Sequence, residues 1–263
     1  MILLTGATGF VGQAILQSRE DVIVCPSLRG ATFEDIQRIV ADSGADAIIH
    51  TAAISDIGTC EADPEASRQA NVQIPLFLAR AAKGIKLICF SSDQVYSGLD
   101  TPGPYTEDTV CPGNTYARHK LEMEQRVLDI APDAVMLRAE WMYGYYRKKG
   151  NYFMNILGAK DEISFSSQQY RGITYVKDVV RNMDAVMALP GGAYNFGSET
   201  TQSIYRITAE FLQLIRKDIR LEDGPPRHNL WMNCEKARSF GVDFPSVEEA
   251  LRTCAADHGL LLP

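Results

Sequence analysis

The stretch Thr5-Gly6-Ala7-Thr8-Gly9-Phe10-Val11-Gly12 decides the fold, because it joins a short apolar run to an amphipathic segment. Glycines spaced G-x-x-G-x-x-G directly after a predicted strand are typical of a dinucleotide-binding turn. We expect Gly6 to permit the tight turn, Gly9 to let the backbone approach a pyrophosphate, and Gly12 to let helix and strand pack closely. The N-terminus of the following helix supplies N–H donors and a positive dipole. A glycine-rich turn without a ligand is the alternative interpretation.

The same alternation of apolar runs and amphipathic segments continues through the first half of the chain. The runs predicted as strands are Ile2–Thr5, Val22–Cys25, Ala45–His50, Ile85–Ser91 and Ala134–Arg138. Helical patterns lie between them, near residues 10–18, 33–43, 61–82 and 114–131. Near-continuous apolar strands indicate a parallel sheet that is covered on both faces. We therefore predict an α/β fold with a doubly wound, mostly parallel sheet of the Rossmann type, which binds ligands at the carboxyl ends of its strands.

After about residue 140 the alternation loosens. Residues 144–151 are rich in Tyr, Lys and Gly and are predicted to form a loop. Gly-Pro-Pro at 224–226 separates a helix near 203–217 from a tail with two short helical patterns. We predict that residues 1–140 form the dinucleotide-binding core. Residues 141–263 are predicted to form mainly a small C-terminal substrate-binding lobe, with some elements returning to the core.

Composition excludes several classes of protein. The 263 residues carry 26 Lys and Arg against 33 Asp and Glu, and this net charge of −7 argues against general nucleic-acid binding. No run approaches the ~20 apolar residues of a membrane helix, and we see no export signal at the N-terminus. The six cysteines never form a C-x-x-C pair, so neither a metal site nor a disulfide framework is expected. We predict a cytoplasmic monomer or homodimer without nucleic-acid or membrane partners.

Tyr116 and Lys120 have the spacing i, i+4 within a predicted helix, which places both side chains on one face. A phenol with a pKa of about 10 is a poor acid at neutral pH, and we expect the nearby ammonium to lower that pKa. Such a pair can donate a proton to a carbonyl oxygen while hydride reaches its carbon. Tyr145 and Lys149 have the same spacing, so spacing alone does not identify the functional pair, and its position in the chain must do so. Tyr116 follows the strand end Ser91-Ser92, whose hydroxyls can hold a substrate carbonyl.

The end of the second predicted strand bears on the type of cofactor. It reads Cys25-Pro26-Ser27-Leu28-Arg29 and contains no Asp or Glu. An acidic residue there would bind the ribose 2′-hydroxyl of NAD and repel the 2′-phosphate of NADP, whereas Arg29 and Ser27 could receive that phosphate. NADP(H) is therefore favoured, and NAD(H) is possible. In the other interpretation Arg29 is a solvated loop residue.

Further motifs join this ordered set of glycine turn, strand-end serine and Tyr-x-x-x-Lys. They are His50-Thr51-Ala52-Ala53, Cys60-Glu61-Ala62-Asp63-Pro64 with Asn71, Ser91-Ser92-Asp93-Gln94-Val95-Tyr96-Ser97-Gly98, Pro104-Tyr105-Thr106-Glu107, Tyr116-Ala117-Arg118-His119-Lys120, Arg138-Ala139-Glu140-Trp141-Met142-Tyr143-Gly144 and Arg171-Gly172-Ile173-Thr174-Tyr175-Val176-Lys177-Asp178. Over nearly the whole chain they resemble an extended short-chain dehydrogenase/reductase, and within that superfamily the chain is most similar to dTDP-4-dehydrorhamnose reductases. The resemblance implies NAD(P)H-dependent reduction at C4 of a dTDP- or UDP-linked 4-keto-6-deoxyhexose.

The resemblance also implies roles for individual residues. Ser92, Tyr116 and Lys120 form the implied catalytic group, in which Ser92 matches the family position better than Ser91. Together with Arg29, the residues implied in cofactor binding are Gly6, Thr8, Gly9, Phe10, Val11, Gly12, Thr51, Ala52, Ala53, Tyr116 and Lys120. Those implied in substrate binding are Ser92, Asp93, Trp141, Arg171 and Arg227. Trp141 would cover an apolar face of the sugar, or be a core residue instead, and Arg171 or Arg227 would hold the diphosphate.

Three departures from the reductase pattern leave the sugar open. Gly58 replaces a familiar Asp, Glu140 stands where a small hydroxyl residue is common, and residues 168–174 are closer to epimerases and dehydratases. One alternative is therefore an epimerase or dehydratase with tightly bound NAD, which Gln94 disfavours because dehydratases have Glu there. Another is a non-catalytic NADP-binding regulatory subunit resembling that of methionine adenosyltransferase. The intact catalytic group disfavours it, because a binding module needs no tuned phenol.

Overall fold

The computed structural model describes residues 1–146 and 151–261 of the chain. Lys149 of the second Tyr–Lys pair lies outside these ranges. The strands are β1 (Ile2–Thr5), β2 (Val22–Val24), β3 (Ala47–His50), β4 (Lys86–Ser92), β5 (Val135–Ala139), β6 (Trp141–Tyr143), β7 (Glu162–Phe165), β8 (Ile173–Tyr175), β9 (Gly192–Phe196) and β10 (Arg220–Asp223). No helix within the described ranges is long and apolar enough to cross a membrane.

Helices connect most of these strands. They are α1 (Phe10–Ser18), α2 (Phe33–Ser43), α3 (Ile57–Ala62), α4 (Pro64–Arg68), α5 (Ile74–Ala81), α6 (Thr115–Ile130), α7 (Tyr152–Gly158), α8 (Val176–Arg181), α9 (Met183–Ala188), α10 (Ile204–Leu214), α11 (Glu235–Arg238) and α12 (Val247–Asp257). A π-helical turn covers Gln69–Gln73, and a 3₁₀ turn covers Asp93–Tyr96.

Six strands form one central sheet in the order β2-β1-β3-β4-β5-β9, and all neighbours pair in parallel. Successive strand residues point to opposite faces, so Leu3 packs in one core cluster and Leu4 in another. Val40 of α2 and Val127 of α6 cover the face of Leu3, whereas Ile15 of α1 covers the other. The predicted doubly wound parallel α/β sheet is therefore confirmed.

The helix predicted over residues 61–82 is divided into four shorter pieces. Pro64 has no backbone N–H to continue α3 and instead begins α4, whose first turn is capped by the Asp63 carboxylate accepting from Ala66 N. The π turn that follows shifts the helical phase before α5 begins. Hydrophobic periodicity alone missed these breaks because the apolar stripe continues through them.

A second group of elements lies at the carboxyl end of β5, where only one residue separates β5 from β6. Two parallel pairs, β6 with β8 and β7 with β10, share an aromatic core with α7, α10 and α12. Tyr143 stacks between Phe153 and Tyr175 in this core. β9 comes from the same half of the chain and pairs with β5 in the central sheet. The small pairs therefore stand beside the edge at which parallel strands bind ligands.

Gly12 provides a test of the close approach between α1 and β1. A Cβ atom at Gly12 would lie 2.2 Å from the carbonyl oxygen of Gly6, which is rigid backbone. We expect Gly12→Ala to lower the free energy of unfolding by about 1–3 kcal/mol, the usual cost of overpacking. Denaturant unfolding followed by circular dichroism measures the change.

The matched control is Gly58→Ala in α3, where the added Cβ would lie 3.5 Å from the Asp56 carboxylate, an ordinary contact. Alanine is the better helix former, so this variant should be unchanged or more stable by about 0.5–1 kcal/mol. Equal destabilisation by the two substitutions would contradict the explanation.

Candidate active site

The glycine turn after β1 has the geometry of an anion-binding turn. Gly6 adopts a φ of +72°, and a Cβ atom there would lie 2.6 Å from the backbone nitrogen of Ala52. Only glycine allows this contact between the turns that follow β1 and β3. Gly9 caps α1, and no acidic side chain or side-chain cap from the described residues occupies its first turn. The N–H groups at the start of α1 are therefore available to a phosphate.

The other predicted residues of this turn divide into exposed and packed positions. Thr8 is exposed beside Gly9. Phe10 lies 5.5 Å from the ring of Tyr146, and Val11 packs against the core beneath the sheet. The side chains of Phe10 and Val11 thus anchor α1, while their backbone N–H groups stay at its first turn.

The loop after β3 is held on both sides. Thr51 Oγ1 donates to the Thr5 carbonyl at 2.8 Å. Fully buried Asn71, from the π turn, accepts from Ile54 N at 3.1 Å and donates to Ile54 O at 2.9 Å. Asn71 thereby fixes the loop of Thr51, Ala52 and Ala53. The sequence analysis identified Asn71 only as part of a motif. It did not predict the break in the helix around Asn71.

Ser92, Tyr116 and Lys120 are brought together at the carboxyl end of β4, and all three are buried. The Ser92 hydroxyl lies close enough to the Tyr116 phenol to lower the pKa of that phenol. Lys120 Nζ lies 5.8 Å from the centre of the Tyr116 ring and donates to the Phe90 carbonyl at 2.7 Å. The start of α6 is fixed by Asn114, which accepts from Ala117 N at 2.9 Å.

The structure separates the two candidate serines. Adjacent strand residues point to opposite faces, so Ser91 and Ser92 cannot serve the same site. Ser91 Oγ donates to the buried carboxylate of Glu124. That carboxylate also receives the Arg138 guanidinium, at 2.7 Å. Ser91 therefore supports the interior of the protein, whereas Ser92 faces Tyr116.

The expected lowering of the Tyr116 pKa is not found. Burial raises the pKa of Tyr116 above its usual value, and the charge of Asp93 adds to this, while only the hydrogen bond from Ser92 opposes it. The ammonium of Lys120 donates to the Phe90 carbonyl and not to the phenol. Burial lowers the pKa of Lys120 itself to about 8. Tyr116 is consequently protonated at neutral pH, but burial makes it a weaker acid than a free phenol.

Three predicted substrate residues line one cavity. Trp141, Arg171 and Arg227 surround a volume of about 130 Å³, together with Gln169 and other residues of the small lobe. It adjoins a wider groove of about 550 Å³ that shares Trp141 as a wall. The Arg171 guanidinium lies 5.5 Å from the centre of the Trp141 ring, a cation–π contact. The other edge of Trp141 packs on Tyr152, so this tryptophan belongs to both the core and the cavity.

The two predicted arginines differ in their partners. Arg171 Nη2 donates to Asp93 Oδ2 at 2.8 Å, across 78 residues of sequence. The other carboxylate oxygen of Asp93, Oδ1, accepts from Ser92 Oγ at 3.0 Å. Arg227 is exposed and has no ion pair within the described ranges. The cavity thus contains one neutralised cation and one unpaired cation.

Glu140 is buried directly beneath these groups. Its Oε2 accepts from Thr174 Oγ1 at 2.9 Å. Cβ atoms at Gly172 or Gly197 would lie 2.1 Å and 2.3 Å from its carboxylate oxygens, so two glycines create its space. Burial raises the pKa of Glu140 well above its usual value, and the negative charge of Asp93 raises it further. Both effects favour the neutral acid.

Glu140→Gln should reveal this neutral state through the pH dependence of stability. Because the pKa of Glu140 is raised on folding, its wild-type contribution is fully present below the unfolded pKa, near 4.5, and is lost as pH rises towards the folded value. The Tm of Glu140→Gln relative to wild type should therefore increase from about pH 5 to about pH 8. Calorimetry at several pH values measures it.

Glu249→Gln is the control for this experiment. Hydrogen bonds from the backbone and side chain of Ser246 lower the pKa of Glu249, so the carboxylate is ionised in both folded and unfolded chains throughout that range. Its Tm difference from wild type should stay constant. A constant difference for Glu140→Gln as well would show that Glu140 is ionised in the folded protein.

The site fits a dinucleotide that carries a 2′-phosphate. Arg29 is exposed after β2, and its backbone N–H donates to Ser27 Oγ at 3.4 Å. No acidic side chain stands in the stretch that follows β2, and the start of α1 has no side-chain cap and no acidic residue in its first turn. The sheet, the glycine turn and the Ser92–Tyr116–Lys120 group together define the extended short-chain dehydrogenase/reductase architecture.

A family model places the chain within this architecture. The model of the RmlD substrate binding domain matches residues 1–225, and the chain belongs to this family. The predicted resemblance to dTDP-4-dehydrorhamnose reductases is thereby confirmed.

Relatives in this family have different names. The chain is 35% identical over 151 residues to the dTDP-4-dehydrorhamnose reductase of Mycolicibacterium smegmatis, a match that covers 54% of this chain and only 46% of that protein. It is 34% identical over 278 residues to methionine adenosyltransferase 2 subunit beta of Xenopus tropicalis, covering 91% of this chain and 82% of that protein.

A solved structure supports the fold. The dTDP-4-dehydrorhamnose reductase of Bacillus anthracis, determined in complex with NADP, superimposes with a TM-score of 0.87. The two chains are 21% identical, and the match covers 97% of this chain and 98% of that one.

Proposed function

We propose that the chain is an NADP(H)-dependent reductase that acts at C4 of a dTDP- or UDP-linked 4-keto-6-deoxyhexose. The observation that carries this proposal is the buried group of Ser92, Tyr116 and Lys120 beside the cavity of Trp141, Arg171 and Arg227. The family match and the NADP complex of the Bacillus anthracis relative support it. A pure binding site would need the cavity but not a buried phenol on a serine hydroxyl.

The cofactor would be held along the carboxyl ends of β1, β2 and β3. N–H groups at the start of α1 would take the pyrophosphate, Arg29 the 2′-phosphate, and Thr51–Ala53 would line the nicotinamide side. When bound, it supplies the hydride for the carbonyl carbon. Lys120, already at the site with a pKa of about 8, would hold the nicotinamide ribose with its ammonium.

The chain's own residues then handle the oxygen. The Ser92 hydroxyl, which donates to Asp93 Oδ1, would turn its hydrogen to the carbonyl oxygen and orient that oxygen towards the phenol. As negative charge develops on that oxygen, the Tyr116 hydroxyl transfers its proton to it. The phenol carries its proton at neutral pH, and because burial raises its pKa, the transfer depends on the negative charge that develops on the carbonyl oxygen. Trp141 provides an apolar wall for the sugar, and Arg227 provides a positive charge for the diphosphate.

The decisive experiment is NADPH oxidation with a panel of dTDP- and UDP-linked 4-keto sugars, followed at 340 nm as is usual for this cofactor. Turnover of one or more of them is expected. The product identified by mass spectrometry and NMR must be the 4-hydroxy sugar. Absence of turnover across the panel would refute the proposed reaction.

Tyr116→Phe tests the proton donor. The ring and its packing remain while the hydroxyl disappears, so kcat should fall by about 10²–10⁴-fold with NADPH affinity nearly unchanged. Tyr145→Phe is the matched control, since Tyr145 stacks on His258, away from Ser92. Near-wild-type turnover of Tyr116→Phe would exclude it as the acid.

Arg29→Ala tests the cofactor preference. Wild type should prefer NADPH to NADH, and the variant should bind NADPH about five-fold more weakly with NADH almost unaffected, because only NADPH carries the 2′-phosphate. Solvent screening at this exposed position keeps the effect small. Fluorescence titration with both cofactors measures it, and equal losses for the two would remove Arg29 from the phosphate site.

One alternative has a specific observation in its favour. The match to the methionine adenosyltransferase subunit extends over 91% of the chain, against 54% for the mycobacterial reductase. A regulatory subunit would bind NADP(H) without turnover and would associate with a methionine adenosyltransferase catalytic subunit. Analytical ultracentrifugation of the chain with such a subunit distinguishes this role. An epimerase or dehydratase would instead retain stoichiometric NAD through purification.

A further inference from the structure

Asp93 is the first residue after β4, and its two carboxylate oxygens bind different parts of the molecule. Oδ1 accepts from Ser92 Oγ at 3.0 Å, and Oδ2 accepts from Arg171 Nη2 at 2.8 Å. The Asp93 side chain is only 4% exposed and that of Arg171 14%. A nearly dry ion pair therefore connects the strand-end serine to an arginine of the substrate cavity.

This connection extends in both directions. On one side the Ser92 hydroxyl neighbours the Tyr116 phenol and lowers its pKa. On the other side the Arg171 guanidinium lies over the Trp141 ring, whose opposite edge packs on Tyr152. Every link is a hydrogen bond, an ion pair or a ring contact between buried or half-buried groups. The cavity wall is thus coupled to the hydroxyl of Ser92 through one carboxylate.

We infer that Asp93 is a positioning residue that couples occupation of the Arg171–Trp141 cavity to the orientation of Ser92. A ligand that attracts Arg171 weakens the bond between Arg171 and Asp93, and Asp93 then binds the Ser92 hydroxyl more strongly. A ligand that leaves the Asp93–Arg171 pair intact leaves the Ser92 hydroxyl in place. The inference rests on the proposed function for its catalytic consequence. It differs from the expectation that Asp93 contacts the substrate itself, because both of its oxygens already have protein partners.

An amide cannot replace this carboxylate without reversing the Ser92 hydroxyl. If the single oxygen of asparagine accepts from Arg171, its NH₂ group faces Ser92 Oγ, which must then accept a hydrogen bond where it donates one to Asp93. Asparagine also removes the charge that neutralises the poorly solvated Arg171, and an unpaired cation in such surroundings is costly. Asp93→Asn should therefore disturb Ser92 and Arg171 together.

A double-mutant cycle separates positioning from direct contact with the substrate. On the 4-keto sugar that wild type turns over, Asp93→Asn should lower kcat about ten-fold and raise KM. In the Ser92→Ala background, the same substitution should change kcat less than about two-fold but still raise KM, because only the Arg171 link remains. If the loss of kcat in the double variant equals the product of the losses in the two single variants, Asp93 acts independently of Ser92. That result would overturn the inference.

Asp178→Asn is the matched control. Asp178 is likewise buried and pairs with Arg181 at 2.6 Å, but it lies on α8, away from Ser92. Loss of this pair should leave kcat and KM unchanged. If Asp178→Asn lost as much kcat as Asp93→Asn, the effect of Asp93→Asn would be general destabilisation of the protein and not a loss of positioning.

Arginine side-chain NMR provides a measurement that does not depend on turnover. The Arg171 Nε–Hε signal is assigned by its loss in Arg171→Lys. We expect it to shift in Asp93→Asn and also in Ser92→Ala, because Ser92 acts on Arg171 through Asp93. An unchanged signal in Ser92→Ala would overturn the coupling. If the signal shifts but no sugar nucleotide is turned over, the coupling stands and only the proposed reaction is wrong.

Discussion

The contact of the Gly6 turn with the turn after β3 is the constraint on which the site depends. Gly6 and Ala52 approach so closely that a single methyl group would force the two turns apart. Gly12 imposes the same closeness between α1 and the turn itself. β1 lies between β2 and β3, so this is the point at which the chain changes direction across the sheet. A ligand-binding crevice arises at such a point because neighbouring connections leave on opposite faces.

A buried polar network keeps α6, the helix of Tyr116 and Lys120, in register with the sheet. Arg138 of β5 binds the Glu124 carboxylate of α6 at 2.7 Å, and its other arm donates to Tyr96, at 2.9 Å. Tyr96 in turn donates to Asn195 of β9. A buried ion pair of this kind adds little net stability to the protein, but removal of one partner destabilises the protein strongly. Its effect is to fix where α6, and with it Tyr116, sits along β4 and β5.

Local patterns predicted the parts of the site that depend on neighbours in sequence. The glycine turn, the Tyr116–Lys120 spacing and the strand-end serines each follow from a few adjacent residues and the period of a strand or helix. The pKa of Tyr116 was wrongly expected to fall, because spacing places Lys120 on the same face but cannot show that it donates to Phe90 O. The bond between Asp93 and Arg171 escaped prediction for a related reason, since 78 residues separate the partners.

The charges of the cavity then explain how a chain with a net charge of −7 can present a positive charge at this site. Asp93 neutralises Arg171, so that arginine contributes orientation more than attraction. Glu140 lies beneath the pair, but burial favours its neutral form and it adds little repulsion. Arg227 is exposed, lines the cavity and has no ion pair in the described part of the chain, so it is left as the unpaired positive charge of this cavity. A positive charge therefore stands on the exposed side of the cavity, while the Asp93–Arg171 pair beside Ser92 is neutral.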